Sequence, residues 1–106
     1  MPGAMINLPK RAKKGEAVEV KILISHPMES GQRRDEVGKP IPRQIVNNFV
    51  CTYNGEEVIR LDLFPAISAN PYLSFFLTAE TSGDIAMTWK DDKGDVQTET
   101  VPITVE

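Results

Sequence analysis

Few side chains in this sequence are suited to acid–base or nucleophilic chemistry. His26 is the single histidine, and it lies between Ser25 and Pro27 where a strand pattern ends. A hydrolytic triad needs a nucleophile and an orienting acid close to the histidine. Ser25, Ser30 and Glu29 are near in sequence, but neighbouring residues of an extended chain point to opposite faces. We therefore predict that His26 is a loop residue that bonds to backbone or to a partner group.

A metal centre is not expected either. One histidine and one cysteine cannot supply the four ligands of a tetrahedral zinc site. Asp91, Asp92 and Asp95 carry oxygen ligands of the kind that hard cations bind, but tight turns use aspartate as well. The glycines are scattered turn residues and form no phosphate-binding loop. We accordingly predict no active site, no metal and no cofactor.

Cys51 is the single cysteine, so no disulfide can form within the chain. A reactive thiol is usually exposed and lies in electropositive surroundings. Cys51 instead shares a predicted strand face with Phe49 and Tyr53, which indicates a packed and inert thiol. A thiol redox enzyme that uses Cys51 is the alternative, and the alkylation rate of the folded chain separates the two.

Hydrophobic patterns of period two dominate the chain and predict strands. In the clearest run, 16–25, valine and isoleucine occupy one face, whereas Leu23 joins two charged residues on the other. Asn54 and Gly55 predict a type I′ hairpin turn, because both residues tolerate positive φ. A change of apolar parity in the last run predicts a bulge near Thr100. The predicted strands are residues 5–9, 16–25, 45–53, 58–64, 72–78, 85–90 and 96–105.

These strands predict an all-β fold, an immunoglobulin-like antiparallel β-sandwich of six to seven strands. Trp89 is the candidate for the buried tryptophan of such a sandwich, although no cysteine pair can lie beside it. Some domains of this fold bind iron through several histidines and a cysteine, a ligand set that this sequence lacks. We expect residues 1–106 to form one domain, with residues 1–13 partly flexible or not native.

Charge and hydropathy argue against several classes of function. The net charge is -3, and the short basic segment 10–14 is predicted to be solvated, so a nucleic-acid partner is not expected. No run of about 18 apolar residues is present, so we expect no membrane span. Residues 1–10 lack the apolar stretch of a secretory signal, and the sequence alone therefore predicts a cytoplasmic protein.

A long polar segment, 25–43, follows the first strong strand, and such loops in compact domains are usually functional or disordered. Its residues S-H-P-M-E-S-G-Q-R-R-D-E-V-G-K-P-I-P resemble the SoxZ family, whose members read H-P-M-E-T-G, a basic pair, and G-K-x-I-P. Residues 65–75, P-A-I-S-A-N-P-Y-L-S-F, and residues 88–94, T-W-K-D-D-K-G, resemble the same family in order. Phe64 stands where the family often has glycine. The resemblance extends from about Lys14 to the C-terminus.

The resemblance implies a partner protein of sulfur oxidation. SoxZ proteins pair with SoxY, a second small β-sandwich whose flexible Gly-Gly-Cys-Gly-Gly arm carries sulfur intermediates during thiosulfate oxidation and visits several enzymes. The present sequence has no such arm and resembles the non-catalytic subunit of this heterodimer or higher assembly. The family is thought to be exported already folded with SoxY, which implies a periplasmic location for a chain without its own signal.

We expect partner contacts at two loops and at apolar strand surface. Loops at the strand ends of a sandwich can converge on one side, and arginine binds anionic sulfur groups or carboxylates through its planar fork. Stable pairing buries about 800 Å² per partner. A free-standing adhesion or carbohydrate-binding module is the alternative, with Tyr72 and Trp89 as its aromatics. The predicted partner-binding residues are His26, Met28, Arg33, Arg34, Ile45, Phe49, Ser68, Asn70 and Phe76.

Overall fold

A computed structural model describes residues 3–64 and 69–106 of the chain. Within these ranges it contains strands and no helix, and hence no helix that could cross a bilayer. The prediction of an all-β sandwich is confirmed, with one short strand, β2, beyond those predicted. The strands are β1 (Ala4–Asn7), β2 (Arg11–Ala12), β3 (Ala17–Ile24), β4 (Val46–Tyr53), β5 (Glu56–Asp62), β6 (Tyr72–Thr78), β7 (Gly83–Asp91) and β8 (Val96–Val105).

The strands form two sheets. The smaller sheet has the order β1-β3-β6, and the larger has the order β2-β8-β7-β4-β5. All pairs are antiparallel except β2 with β8, which are parallel, so the larger sheet is mixed. The segment 10–14, predicted to be solvated, contributes β2: Ala12 is buried, and the exposed Arg11 forms an ion pair with Glu106.

The core lies between the sheets and follows the predicted alternation. On β3, every second residue from Val18 to Ile24 is at most 2% exposed. Trp89 on β7 is 2% exposed, which confirms it as the buried tryptophan. Phe49 and Phe75 meet edge to face across the sheets, with ring centroids 6.0 Å apart.

The predicted bulge near Thr100 is wrong. The register of β7 and β8 runs without a shift from Gly83 opposite Ile103 to Lys90 opposite Val96. The apolar parity changes because Val96, opposite Lys90, lies on the outer face of the sheet and is exposed. The irregularities lie instead on β4, where its register shifts against both β5 and β7.

The hairpin turn between β4 and β5 is the one predicted. Asn54 and Gly55 have φ values of 51° and 85°, as a type I′ turn requires. The Asn54 side chain reaches the turn between β6 and β7, where its Oδ1 accepts a hydrogen bond from the Asp84 amide at 3.0 Å. A Cβ atom built on Gly83 would overlap the Asn54 carboxamide. Gly83 is therefore needed for contact between the two turns.

The polar segment after β3 is an ordered arm, defined here as residues 29–44. Glu29 pairs with Gln44 at its base and Arg34 with Pro40 near its tip, while all residues from 31 to 40 are exposed. The whole molecule measures 59 × 21 × 19 Å. Since a strand of eight to ten residues spans about 26–34 Å, the arm lengthens the sandwich considerably.

Candidate functional site

His26 joins two loops and a turn at the arm end of the sandwich. Its carbonyl accepts from the Asn70 amide at 2.7 Å, and its amide donates to the Asn70 Oδ1 at 3.0 Å. Its ring Nδ1 accepts from the Met28 amide at 3.0 Å, so in the neutral ring Nε2 carries the proton. This Nε2 faces Asp91 Oδ2 at 3.5 Å. The two loops therefore meet, as predicted. His26 itself is only 5% exposed, and its hydrogen bonds hold the two loops in place.

Asp91 ties the turn after β7 to the base of the arm. Its Oδ1 accepts from the amides of Lys93 and Asp95, each at 3.0 Å, and thereby closes the turn. Its Oδ2 accepts from Gln44 Nε2 at 3.0 Å. The sequence offered Asp91 as a cation ligand or as a turn residue, and its hydrogen bonds are those of a turn residue.

Asp92 clamps the arm by a bidentate ion pair. Both carboxylate oxygens accept from the Arg43 guanidinium at 2.8 Å, and Oδ1 also accepts from Asn47 Nδ2 at 2.9 Å. The Ile45 amide donates to Oδ2 at 3.2 Å. The hydrogen bonds from Arg43, with smaller contributions from Asn47 and Ile45, hold the pKa of the Asp92 carboxyl below its usual value. Bidentate charge-assisted bonds are among the stronger hydrogen bonds in proteins, so this clamp fixes the direction of the arm.

Four predicted partner-binding residues point into the protein. Met28 has a φ of 52°, is buried, and accepts from the Val46 amide through Sδ at 3.2 Å. Ile45 and Phe49 are 0% exposed, so their prediction as interface residues is wrong. The register shift of β4 between Val46 and Asn48 lets Val46 and Phe49, three residues apart, both be buried, and Ile45 is buried just before β4 begins. His26 and Met28 likewise offer no side-chain surface to a partner.

The arginines of the arm are exposed but already paired. Arg33 forms an ion pair with Glu29, and this hydrogen bond lowers the pKa of the Glu29 carboxyl. Arg34 donates from Nη1 to the Gly38 carbonyl at 2.8 Å. Their partner role stays a prediction, since the guanidinium groups remain open to solvent. Ser68 lies outside the described residues.

The outer face of the smaller sheet exposes large apolar side chains. Met5 lies opposite Leu23, and Leu23 lies opposite Tyr72, so the three form one row across the three strands. Their exposed fractions are 74%, 37% and 57%. Phe76, a predicted partner-binding residue, is 64% exposed on the same face, four residues further along β6. We call Met5, Leu23 and Tyr72 the apolar row; Leu23 on the charged face of its strand was the sequence signal for it.

The side chains considered for other chemistry are buried. Burial raises the pKa of the Cys51 thiol to about 11, so almost no thiolate is present at neutral pH. Trp89 is in the core, so it cannot form the exposed sugar-binding pair with Tyr72 that the alternative reading requires. Among residues 3–64 and 69–106, no three histidine, cysteine, aspartate or glutamate side chains lie together as a possible metal site.

Solved structures with the same fold include superoxide reductases and a sulfur carrier. A superoxide reductase (neelaredoxin) from Ignicoccus hospitalis has a TM-score of 0.73 and 17% identity, over 97% of this chain and 80% of that chain. A putative superoxide reductase from Thermotoga maritima has 0.73 and 17%, over 97% and 85%. The sulfur carrier protein SoxY from Chlorobium limicola f thiosulfatophilum has 0.70 and 15%, over 97% and 78%. At these identities the likeness shows a shared fold.

Sequence comparison assigns the family. No curated protein matches the chain. The family model described as "Sulphur oxidation protein SoxZ" matches residues 6–102, and this range contains the arm, the loop after β5 and the turn after β7. The match covers nearly the whole chain, and the chain belongs to the SoxZ family.

Proposed function

We propose that this chain is the non-catalytic subunit of a sulfur-carrier heterodimer, paired with a SoxY-type protein. Membership of the SoxZ family places the chain in sulfur oxidation. In that family, as the sequence resemblance implies, the SoxY cysteine arm carries the sulfur intermediates. The present chain contributes a scaffold for that carrier, and the observation that carries this proposal is the exposed apolar row.

The apolar row is suited to the centre of a stable interface. Three large side chains at 74%, 37% and 57% exposure lie side by side, with Phe76 close along the same face. Contiguous exposed apolar surface of this kind marks protein interaction sites. Burial contributes about 25 cal/mol per Å², and a standard interface needs about 800 Å² per partner. The polar residues Lys21 and Ser74, paired with each other beside the row, supply part of a rim.

The burial of the reactive side chains supports the absence of catalysis. The Nδ1 atom of His26 accepts a hydrogen bond from the Met28 amide, and Cys51 lies in the middle of a paired strand. A thiol pKa of about 11 leaves roughly one thiolate in a thousand at pH 8. We expect alkylation of Cys51 in the folded chain to be at least about 100-fold slower than in denaturant. Labelling at the denatured rate would contradict this part of the proposal.

We propose a periplasmic location, reached together with the partner, as the family resemblance implies. The arm would then contact the enzymes that the carrier visits, since its ten residues from 31 to 40 are all exposed and carry Arg33 and Arg34. Fractionation of cells that express both subunits tests the location. Recovery of the chain in the cytoplasm despite an exported partner would contradict it.

The pairing is tested by binding to a recombinant SoxY-type subunit from the same source. We expect the wild-type chain to form a stable complex in size-exclusion chromatography with light scattering. Leu23→Lys places a charge in the middle of the apolar row and is expected to weaken the complex by at least about 100-fold. Val37→Lys is the matched control, because Val37 is 78% exposed at the arm and lies outside the row.

Two results would contradict the proposal. One is a wild-type chain that does not bind the SoxY-type subunit at micromolar concentration. The other is a Leu23→Lys variant that binds within threefold of wild type while Val37→Lys binds equally well. Circular dichroism and thermal unfolding of both variants establish that the folds are intact.

A further inference from the structure

One of the two edges of the smaller sheet is an unusually unprotected strand. β6 forms this edge, and its sequence Tyr-Leu-Ser-Phe-Phe-Leu-Thr contains no charge, proline or glycine. Natural proteins protect edge strands with charges, prolines, bulges or short length, because a free edge pairs with other chains. β5, the edge of the other sheet, follows that rule with Glu56, Glu57, Arg60 and Asp62 among its seven residues. The two edges are therefore built for different purposes.

The backbone of β6 has a full set of outward groups. The Ala79 amide donates to the Glu16 carbonyl at 2.9 Å, and the Pro71 carbonyl accepts from the Ile24 amide at 2.9 Å. Odd-numbered residues of this stretch thus face β3, and the alternation of an antiparallel ladder turns the even-numbered ones away. The residues whose amide and carbonyl groups point to the open side are Tyr72, Ser74, Phe76 and Thr78.

The side chains of the same residues continue the outer face. All four are exposed, and Tyr72 is the last member of the apolar row. A strand added beside β6 would place its own side chain next to Tyr72 and extend the row from three strands to four. Backbone pairing and apolar contact would then form together, as in other cases of strand addition.

The acidic residues beside β6 indicate which kind of strand could pair with it. A groove of about 510 Å³ runs between β6 and β5, and its lining includes Glu56, Glu57 and Glu80 but no lysine or arginine. Glu57 is partly neutralised by Arg60 at 2.8 Å, whereas Glu80 has no ion pair among the described residues. A second copy of this chain would bring another uncharged β6 and more acidic residues. A partner strand with lysine or arginine near its end fits better.

We infer that β6 is completed by a strand of the SoxY-type partner, which adds edge to edge with an apolar residue beside Tyr72 and a basic residue near Glu57 and Glu80. This inference rests on the proposed heterodimer and specifies how the partner is held. It predicts one continuous sheet across the two subunits. The β5 edge stays free.

Binding of the recombinant SoxY-type subunit to edge variants tests the inference. Ser74→Pro removes an outward amide, and proline is tolerated at an edge where its nitrogen faces solvent. Asp62→Pro is the matched control on β5, where parity also turns residue 62 outward, since the Leu63 amide bonds to Asn47. We expect Ser74→Pro to weaken binding at least about 30-fold and Asp62→Pro less than threefold.

Hydrogen exchange supplies a second readout that does not depend on a proline substitution. In the wild-type complex, the amides of Tyr72, Ser74, Phe76 and Thr78 are expected to gain at least about tenfold protection. The outward amides of Arg60 and Asp62 on β5 are expected to exchange as in the free chain. Protection of the β5 amides, or unchanged exchange on β6, overturns the inference.

A charge reversal tests the basic residue of the partner. Glu57→Lys combined with Glu80→Lys is expected to weaken binding about tenfold at low salt, and less at high salt. The control is Glu36→Lys combined with Glu99→Lys, which changes net charge equally on other exposed surfaces. Equal affinity for both double variants overturns the assignment of a basic segment.

The failures can be told apart. If the wild-type chain does not bind the SoxY-type subunit, the proposed function itself is contradicted. If it binds, and folded Ser74→Pro binds within threefold with no protection on β6, the heterodimer stands and strand addition is wrong. If the wild-type chain forms a homodimer that Ser74→Pro abolishes without affecting SoxY binding, a second copy occupies the edge and the inference is overturned.

Discussion

The polar groups of the arm base are almost all hydrogen-bonded within the chain, whereas half of the backbone groups of the β6 edge point outward. At the arm base, Asp92 accepts from two side chains and a backbone amide, and Asp91 accepts from three donors. Gln44 Oε1 is the single buried side-chain polar atom without a partner among the described residues. At the edge, four residues direct amides and carbonyls outward beside exposed aromatic rings. The arm base uses its polar groups within this chain, whereas the edge leaves its backbone groups available, as the inferred strand addition requires.

The largest effect is expected from the clamp. Asp92→Ala removes the acceptor of four hydrogen bonds, including the bidentate pair with Arg43, and should lower the free energy of unfolding by about 2–3 kcal/mol. Asp95→Ala, in the exposed part of the same turn, is the control and should change it little. Urea denaturation measures both, and equal effects would show that Asp92 is no clamp.

The next effect concerns the backbone of the arm. Gly31 has a φ of 87°, and a Cβ there would lie 3.1 Å from the Arg43 Cβ. Gly31→Ala should cost about 1–2 kcal/mol in unfolding free energy, from both backbone strain and crowding. Gly38 at the tip has a φ of 84° with no atom near the added Cβ, so Gly38→Ala isolates the strain alone. Thermal unfolding should rank Gly31→Ala as the less stable variant.

Acid should loosen the arm base before the edge. The pKa of the Asp92 carboxyl is below its unfolded value, chiefly because of Arg43, so its contribution to stability is complete above about pH 4 and is lost as the pH falls through the lowered pKa. Asp92→Asn should therefore be less stable than wild type at pH 7, and the gap should shrink below about pH 4. A gap that persists to pH 2.5 would contradict the assignment.

The smallest change in stability is expected at the edge, where association should change instead. Ser74→Lys puts a charge on an exposed side chain and should alter the free energy of unfolding by less than about 0.5 kcal/mol. It should reduce self-association of the isolated chain, because it gives β6 the protection that β5 has. Arg60→Ser should increase self-association of the isolated chain. Sedimentation velocity measures both, and the opposite order would remove the distinction between the edges.

The sequence predicts the strands better than the surfaces. Alternation of valine and isoleucine locates β3, and Asn54-Gly55 locates the following hairpin, because both signals are local. β2 was missed, since two residues pair with a strand more than ninety positions away. Ile45 and Phe49 were assigned to the partner surface because the strand pattern placed apolar residues on both faces. It did not reveal the register shift that turns Val46 to the same inner face as Phe49.

The hydrogen-bonded contacts at the arm base could not be predicted from the sequence. His26 and Asp91 are 65 positions apart in the sequence. They come together only because the order of the strands in the two sheets places the loop after β3 beside the turn after β7. Leu23 on the charged face of β3 was a usable local signal for the apolar row, and Tyr72 was considered only as a sugar-binding aromatic. The order of the arm follows from cross-arm backbone pairs, which leave no hydrophobic period in the sequence.

The contact between Asn54 and Gly83 has a consequence for how such chains can diverge. The carboxamide fills the volume that any larger residue at position 83 would need, and its oxygen holds the Asp84 amide. A substitution at position 83 therefore displaces the Asn54 carboxamide and its hydrogen bond to the Asp84 amide, so the residues allowed in the two turns depend on each other. Related sequences that have lost the asparagine should be the ones in which the glycine is free to vary.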